Sequence, residues 1–323
     1  MTLPVKVGLV GAGVMGGNHA RVLARLPRHF AFTGIYDPDV ARASALAKQY
    51  ETLAFPTLAA LQQAVDAVVI AAPTRLHHEL GLHLLQAGKS VLMEKPLALT
   101  VEECRNLVEA SERFQSPLQV GHIERFNPAV QALQGVIADE EIFAWDFNRV
   151  GPHDPHRLEV DVVSDLMVHD LDILLALSPQ FADAEIQAAG WKLPETPSWD
   201  YVAATLSLRN GGPLATFRAS RVSQDKIRRL EITARGAFVV TDFMERRLLI
   251  NRRIMASIQG RYHQESQVEK VLVSAVEPLQ AELEHFALVA AGQAEPLVTG
   301  WDGLRAVQLV NRIRTQLGSP KAS

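Results

Sequence analysis

Cysteine is almost missing from the 323 residues: Cys104 stands alone, so no internal disulfide can form and a reducing compartment fits best. Missing too is any apolar run near the roughly 18 residues of a membrane span. The opening Met1-Thr2-Leu3-Pro4-Val5 has no basic stretch followed by a long apolar one, so no membrane partner is expected and the cytoplasm is the expected location. Excess charge of one sign is absent as well. With 32 basic and 36 acidic residues the formal net charge is -4, which gives no global pull toward nucleic acid or an anionic surface. Any anion must therefore be bound locally. No internal repeat or low-complexity segment interrupts the chain. What remains, 48% hydrophobic and 21% charged residues, is a globular composition. The length suits two domains, because single cores stop growing at roughly 250 to 300 residues.

The most informative stretch is Gly11-Ala12-Gly13-Val14-Met15-Gly16, entered from the apolar run 5–10. A buried strand ending at Val10 would hand the chain to a tight turn at Gly11. Gly13 would let backbone approach a pyrophosphate, and Gly16 would let the next helix pack closely. That helix points its positive N-terminal end, with Val14 and Met15, at the phosphates. A second apolar run, 31–36, ends in Asp37, about 20 residues past the last glycine, where a carboxylate takes the ribose hydroxyls. The same acid can also serve as a helix cap ahead of Pro38.

Strands and helices then alternate to Gly121. The run 67–72 is apolar and largely β-branched, as a parallel strand covered on both faces should be. Pro73-Thr74 ends it, with Thr74 as the expected cap of a helix over 75–87 closed by Gly88. A strand over 90–93 leads directly into Glu94-Lys95-Pro96, and Thr100 caps a helix to Phe114. This is the pattern of a doubly wound parallel sheet with its ligand crevice at the carboxyl ends of the strands. Beyond Gly121 the rhythm changes. One helical stretch, 162–177, sits among alternating runs at 142–150, 185–191, 201–209, 213–218, 230–233 and 238–243, and helices follow at 279–291 and 301–317. The expected fold is α/β: a Rossmann domain over 1–121 and an α+β domain over 122–323 built on a mostly antiparallel open sheet.

Two places in the chain carry the chemistry. Lys95 follows a buried strand at its carboxyl end. On the long helix, Asp165, His169 and Asp172 are spaced by four and three, which places them on one face, with Ser164 as the expected cap. Asp and His at this spacing could bind a metal, but no cysteine or second ligand pair completes a shell, so none is expected.

Taken in order, Gly11 to Gly16, Asp37, Ala72-Pro73-Thr74 with His77, Glu94-Lys95-Pro96, Asp165 to His169 with Asp172, and the closing 298–304 resemble the Gfo/Idh/MocA family of NAD(P)-dependent sugar and polyol dehydrogenases. The likeness runs from Val5 to about Leu317. Within the family, Gly121 to Pro128 and Asp165 to Asp170 are similar to the bacterial enzymes that oxidise the C3 hydroxyl of UDP-N-acetylglucosamine to a ketone for diamino-sugar lipid A synthesis. One departure is Met167, where the family often has glycine. The resemblance implies His169 as the base, Asp165 as its orienting partner, and Lys95 as donor to the same oxygen and to the nicotinamide ribose. The implied cofactor residues are Gly11, Gly13, Val14, Met15, Gly16, Asp37, Ala72, Pro73, Thr74, His77, Glu94, Lys95 and Arg125. Asp37 favours NAD over NADP, although Arg42 stands one helical turn on.

A nucleotide-sugar substrate brings a diphosphate, for which Arg125, Arg149, Arg157, Lys226 and Arg228 are the candidates. For each of them singly a solvated edge-strand charge is the commoner reading, and Arg125 and Asn127 are the better placed because they follow the last strand of the first half. His122, Glu124 and Asn127 follow the last strand of the first half and are expected to line the pocket, and His153 and His156 have no assigned partner. A dehydrogenase of free sugars or inositol stays open, as does a non-catalytic dinucleotide sensor, although a sensor needs neither Lys95 nor His169. The resemblance also implies a homodimer or homotetramer built on the open sheet.

Overall fold

The computed structural model describes residues 4–153, 160–258 and 261–318. Contacts divide it into two compact units. The first runs to Phe126 and takes in Glu277–Val307; the second comprises Asn127–Val276 and the chain from Gln308.

In the first unit strands and helices alternate: β1 Val5–Val10, α1 Val14–Leu23, β2 Phe30–Tyr36, α2 Val40–Gln49, β3 Leu53–Ala54, α3 Leu58–Ala64, β4 Ala67–Ile70, α4 His77–Gln86, β5 Ser90–Glu94, α5 Val101–Phe114 and β6 Leu118–Gly121. All six strands are parallel, in the order β3-β2-β1-β4-β5-β6. The order reverses between β1 and β4, and a reversal of this kind opens a crevice at the strands' carboxyl ends.

Alternation along the central strands explains why they read as continuous apolar runs. Ala67 and Val69 of β4 and Leu92 of β5 face one apolar cluster, with α1 residues Ala20 and Leu23. Val68, Ile70, Val91 and Met93 face the other, with Leu84 of α4 and Leu107 of α5. Each face is sealed by helices, so apolar residues fill successive positions within the central strands. The expected close of α4 and start of α5 hold. Gly88 closes the first with φ +73°, and Thr100 forms a capping box with Glu103 at the start of the second.

The helix α8 Pro278–Ala290 belongs to this unit although it lies far along the chain. Leu279, Leu283 and Phe286 enter the α1-side cluster, and the Phe286 ring lies 6.5 Å from Phe30. Glu277, just before the helix, takes both terminal nitrogens of Arg21.

The second unit contains α6 Pro128–Ile137, β7 Ile142–Val150, α7 Val168–Leu177, β8 Glu185–Trp191, β9 Tyr201–Ser207, β10 Leu214–Ser220, β11 Ile227–Ala234, β12 Ala237–Asp242, β13 Arg247–Ile258 and β14 Arg261–Val271. The last helix, α9 Gly300–Leu317, spans both units. The eight strands run β14-β13-β12-β11-β7-β10-β9-β8, all antiparallel except β7 with β10. The open, mostly antiparallel sheet is the one expected; α6, β13 and β14 are additions to it. Trp145, Phe147, Phe217, Leu230 and Ile232 form its buried side, and α7 buries Val168, Leu171, Ile173 and Leu174. No helix among the described residues is long and apolar enough to cross a membrane.

Because α8 completes the wall over β1, removing its anchor should be costly. Phe286→Ala is expected to lower unfolding free energy by roughly 3 to 5 kcal/mol in urea titration. A loss below about 1 kcal/mol would mean the helix is a peripheral addition.

Candidate active site

The glycine turn is built by backbone crowding. Gly11 takes φ +101°, and a Cβ there would lie 2.5 Å from the Ala71 carbonyl oxygen. A Cβ on Gly16 would lie 2.0 Å from the Gly11 oxygen, so only glycine lets α1 start this close to the end of β1. Gly13 is different: a Cβ there would meet nothing within 4 Å. It is the N-cap residue of α1 and supplies no side-chain cap, and the next residue, Val14, is 77% exposed. Open space over an uncapped helix start fits a dinucleotide pyrophosphate.

Asp37 follows β2 beside this turn. One carboxylate oxygen accepts the Ala12 amide at 2.7 Å and the other the Asp39 amide at 2.8 Å. The acid assigned to the ribose thus also shapes the glycine turn, and each oxygen keeps a second lone pair for a hydroxyl. Asp39, not Asp37, caps α2, and its other oxygen takes Nε of Arg42 at 2.7 Å. The side chain that raised the possibility of NADP is therefore held on an acid.

At the end of β4, Pro73 precedes a 3-10 turn over Thr74–Leu76 and offers no side-chain cap. Thr74 is the first residue inside that turn, which corrects its expected role as the cap. His77 is buried, with Nδ1 2.9 Å from the Pro96 oxygen and Nε2 2.9 Å from the Ala72 oxygen. Burial pushes its pKa down, against the pull of the two carbonyls. A neutral ring donates to one of them at a time, so the ring bridges the loops after β4 and β5 rather than facing outward.

Glu94, the last residue of β5, is also turned inward. One oxygen lies 2.8 Å from Nε2 of His19, and the other accepts the Lys95 amide at 3.1 Å. Burial alone would raise this carboxyl, but His19 and Lys95 outweigh it and hold it below the usual range. Lys95 is half-buried at the same sheet edge as Gly11, Asp37 and Ala72. Deeper in the unit, Glu282 of α8 is fully buried, and neither carboxyl oxygen has a hydrogen-bond partner among the described residues. Burial first, and the charge of Glu94 second, push its pKa well above the carboxylate range. Burial thus favours its neutral form, while the partners of Glu94 favour that group's charged form.

His19 and Glu282 have no place in the sequence reading, yet both carry a signal. His19 follows Gly16 by three residues on the helix's buried face, and Glu282 interrupts the apolar series Leu279, Leu283, Phe286.

After β6, His122 is buried, Glu124 and Arg125 are half-buried, and Arg125 donates to the Leu297 oxygen at 3.4 Å. Asn127 is buried: its oxygen caps α6 at the Ala129 amide, and its amide nitrogen donates to the Phe243 oxygen at 3.0 Å.

In the second unit the helix carrying His169 begins with a π-helical turn, Val163–Met167, before α7. Asp161 accepts the amides of Val163 and Ser164, so Asp161 rather than Ser164 is the cap. Asp165 lies on the wide turn and His169 at the start of α7, both half-buried; Asp172, expected on their stripe, is buried. Asp170 pairs with Arg149 at 2.7 Å, and both are buried. Arg149 thereby ties β7 to α7. Arg228 stands opposite Arg149 in the β11–β7 register, and Lys226 is exposed. Arg157 and His156 lie outside the described residues.

Two family models match this geometry in order: an oxidoreductase NAD-binding Rossmann fold over residues 5–122 and an oxidoreductase C-terminal alpha/beta domain over residues 156–317. The chain belongs to the Gfo/Idh/MocA oxidoreductase family. The first unit of this oxidoreductase is its NAD-binding domain, and NAD is its cofactor. The chain is 31% identical over 312 residues to the UDP-N-acetylglucosamine 3-dehydrogenase of Acidithiobacillus ferrooxidans, covering 96% of each. A solved structure of that enzyme superposes with a TM-score of 0.87 at 29% identity, covering 98% of each chain. The inositol 2-dehydrogenase of Rhizobium meliloti is 27% identical over 330 residues, 96% of each.

The neutral state of Glu282 is open to measurement. Its carboxyl binds a proton more tightly in the folded chain than in the unfolded one. Its contribution is therefore intact below the unfolded carboxyl range, near ~4.3, and is lost as pH rises toward the raised folded value. Glu282→Gln should gain stability over the parent progressively from pH 5 to pH 8 in thermal melts. A constant difference across that range would show the carboxyl to be ionised in both states.

Proposed function

We propose that this oxidoreductase is an NAD-dependent dehydrogenase that converts the C3 hydroxyl of UDP-N-acetylglucosamine to a ketone. The observation that carries the reading is likeness over the whole length, both units included, to an enzyme of that name. The cradle geometry supports the dehydrogenase class, because Lys95 stands at the strand edge that holds the glycine turn.

When bound, NAD accepts the hydride. The chain's own part is proton transfer and charge placement. His169 takes the hydroxyl proton, its imidazole being suited to exchange near neutral pH. Asp165, four residues earlier, orients the ring and steadies its protonated form. Lys95 donates to the same oxygen as negative charge develops on it. Arg125, Arg228 and Lys226 are the basic groups assigned to the diphosphate, with Arg157 beyond the described residues; His122 and Glu124 line the sugar. The 3-keto product suits an aminotransferase that makes a diamino sugar for lipid A. Copies of the chain associate as a homodimer or homotetramer through the open face of the second sheet.

The whole-length likeness to an inositol dehydrogenase keeps a polyol substrate as the second reading. Purified protein with NAD, tested on UDP-N-acetylglucosamine, N-acetylglucosamine and myo-inositol, should turn over the first; turnover of myo-inositol alone rejects the proposal. Lys95→Ala and His169→Ala should each lower kcat/KM by at least about 100-fold while NADH still binds. Near-parental rates in both would remove the assigned roles.

A further inference from the structure

The residue preceding Lys95 does something the reaction scheme leaves unused. Glu94 keeps its charge in a buried place, which is costly unless the charge is partnered. Its two carboxylate oxygens are divided between two elements. One meets Nε2 of His19, a fully buried ring in the middle of α1, across 75 residues of sequence. The other receives the backbone amide of Lys95. The helix on one side is the one whose first turn forms the dinucleotide cradle, and the amide on the other belongs to the residue that carries the amine. Glu282, which burial pushes toward its neutral form, adds no donor to Glu94.

We infer that His19 and Glu94 form a latch that fixes Lys95 against the cofactor-cradling helix, so that Glu94 acts through His19 and the Lys95 amide and not as a ligand of the dinucleotide. Both are positioning residues. The inference rests on the reading of Lys95 as the group that meets the substrate oxygen, but the latch itself is tied to α1 and is readable without the substrate. Loosening α1 should weaken dinucleotide binding, and loosening the Lys95 amide should slow turnover. The two losses should appear together whichever partner is changed.

The chemistry of the pair sets the variants. His19→Ala removes the donor. His19→Gln returns an N–H near the place of Nε2 and should rescue. Glu94→Gln keeps the shape but leaves one acceptor for two donors. The measurements are kcat and KM with UDP-N-acetylglucosamine and NAD, and NADH affinity by fluorescence titration, on full-length protein with the double variant His19→Ala/Glu94→Gln included.

His19→Ala is expected to lower kcat at least tenfold and weaken NADH several-fold, with most of both recovered in His19→Gln. The double variant should lose no more than the worse single one, as partners in one interaction do. Losses that multiply in the double variant would overturn the latch. So would a Glu94→Gln protein that cannot bind NADH beside a His19→Ala protein that binds it normally, since that would make Glu94 a direct ligand. If His19→Ala does not fold, the comparison of His19→Gln with Glu94→Gln by NADH titration decides the same question. Should Lys95→Ala prove active, the catalytic reading of Lys95 fails, while the NADH arm still reads the latch.

Discussion

Two glycines set the first unit's geometry through what they lack. With no side chain on Gly16, α1 begins against the Gly11 carbonyl, and that contact fixes where the rest of the helix lies. Three turns of α1 then reach three parts of the unit. Its start leaves amides over open space at Gly13, His19 meets Glu94 at the end of β5, and Arg21 meets Glu277 at the entry to α8. Backbone crowding at one turn is thus converted into the position of a lysine on a different strand. A substituent on Gly16 would push the helix outward and disturb all three contacts at once.

The buried ionisable groups follow one rule: charge is kept where it is partnered and given up where it is not. Glu94 has two donors and stays ionised. Glu282 has none among the described residues, and burial holds it neutral. Arg149 and Asp170 pair under the helix that carries His169, and Arg221 and Asp200 pair near its entry, where Arg221 also donates to the Val160 oxygen. Pairs of this kind add little net stability, but breaking one leaves a bare buried charge, so each fixes geometry strongly. In the second unit they flank the π-helical turn that carries Asp165 and the start of α7 that carries His169.

Much of this was legible in the sequence because short-range rules govern it. The parallel strands declared themselves as apolar runs, the capping box at Thr100 by its Glu103, and the cradle by glycine spacing. What the sequence hid arises from distance or from irregular backbone. The partners His19 and Glu94, or Arg149 and Asp170, are 75 and 21 residues apart, and no periodicity links them. The stripe of Asp165, His169 and Asp172 assumed a uniform helix, whereas Asp165 stands on a π-helical turn and the other two on α7, with Asp172 buried. Helix α6 carries Gly135 inside ten residues, and β13 and β14 are paired in a long hairpin at the sheet's edge with many polar positions, so neither had a strong apolar period. Asn127 follows a strand end, but its bond to the Phe243 oxygen, 116 residues on, had no sequence signal.

The central claim is that the hydrogen removed from the substrate leaves the sugar's C3 and arrives on the nicotinamide. UDP-N-acetylglucosamine deuterated at C3 of the sugar, incubated with NAD and the full-length protein, tests it directly. The account requires NADH bearing a single deuterium and a 3-keto sugar. Unlabelled NADH, or label retained in the sugar while NADH forms, would contradict it.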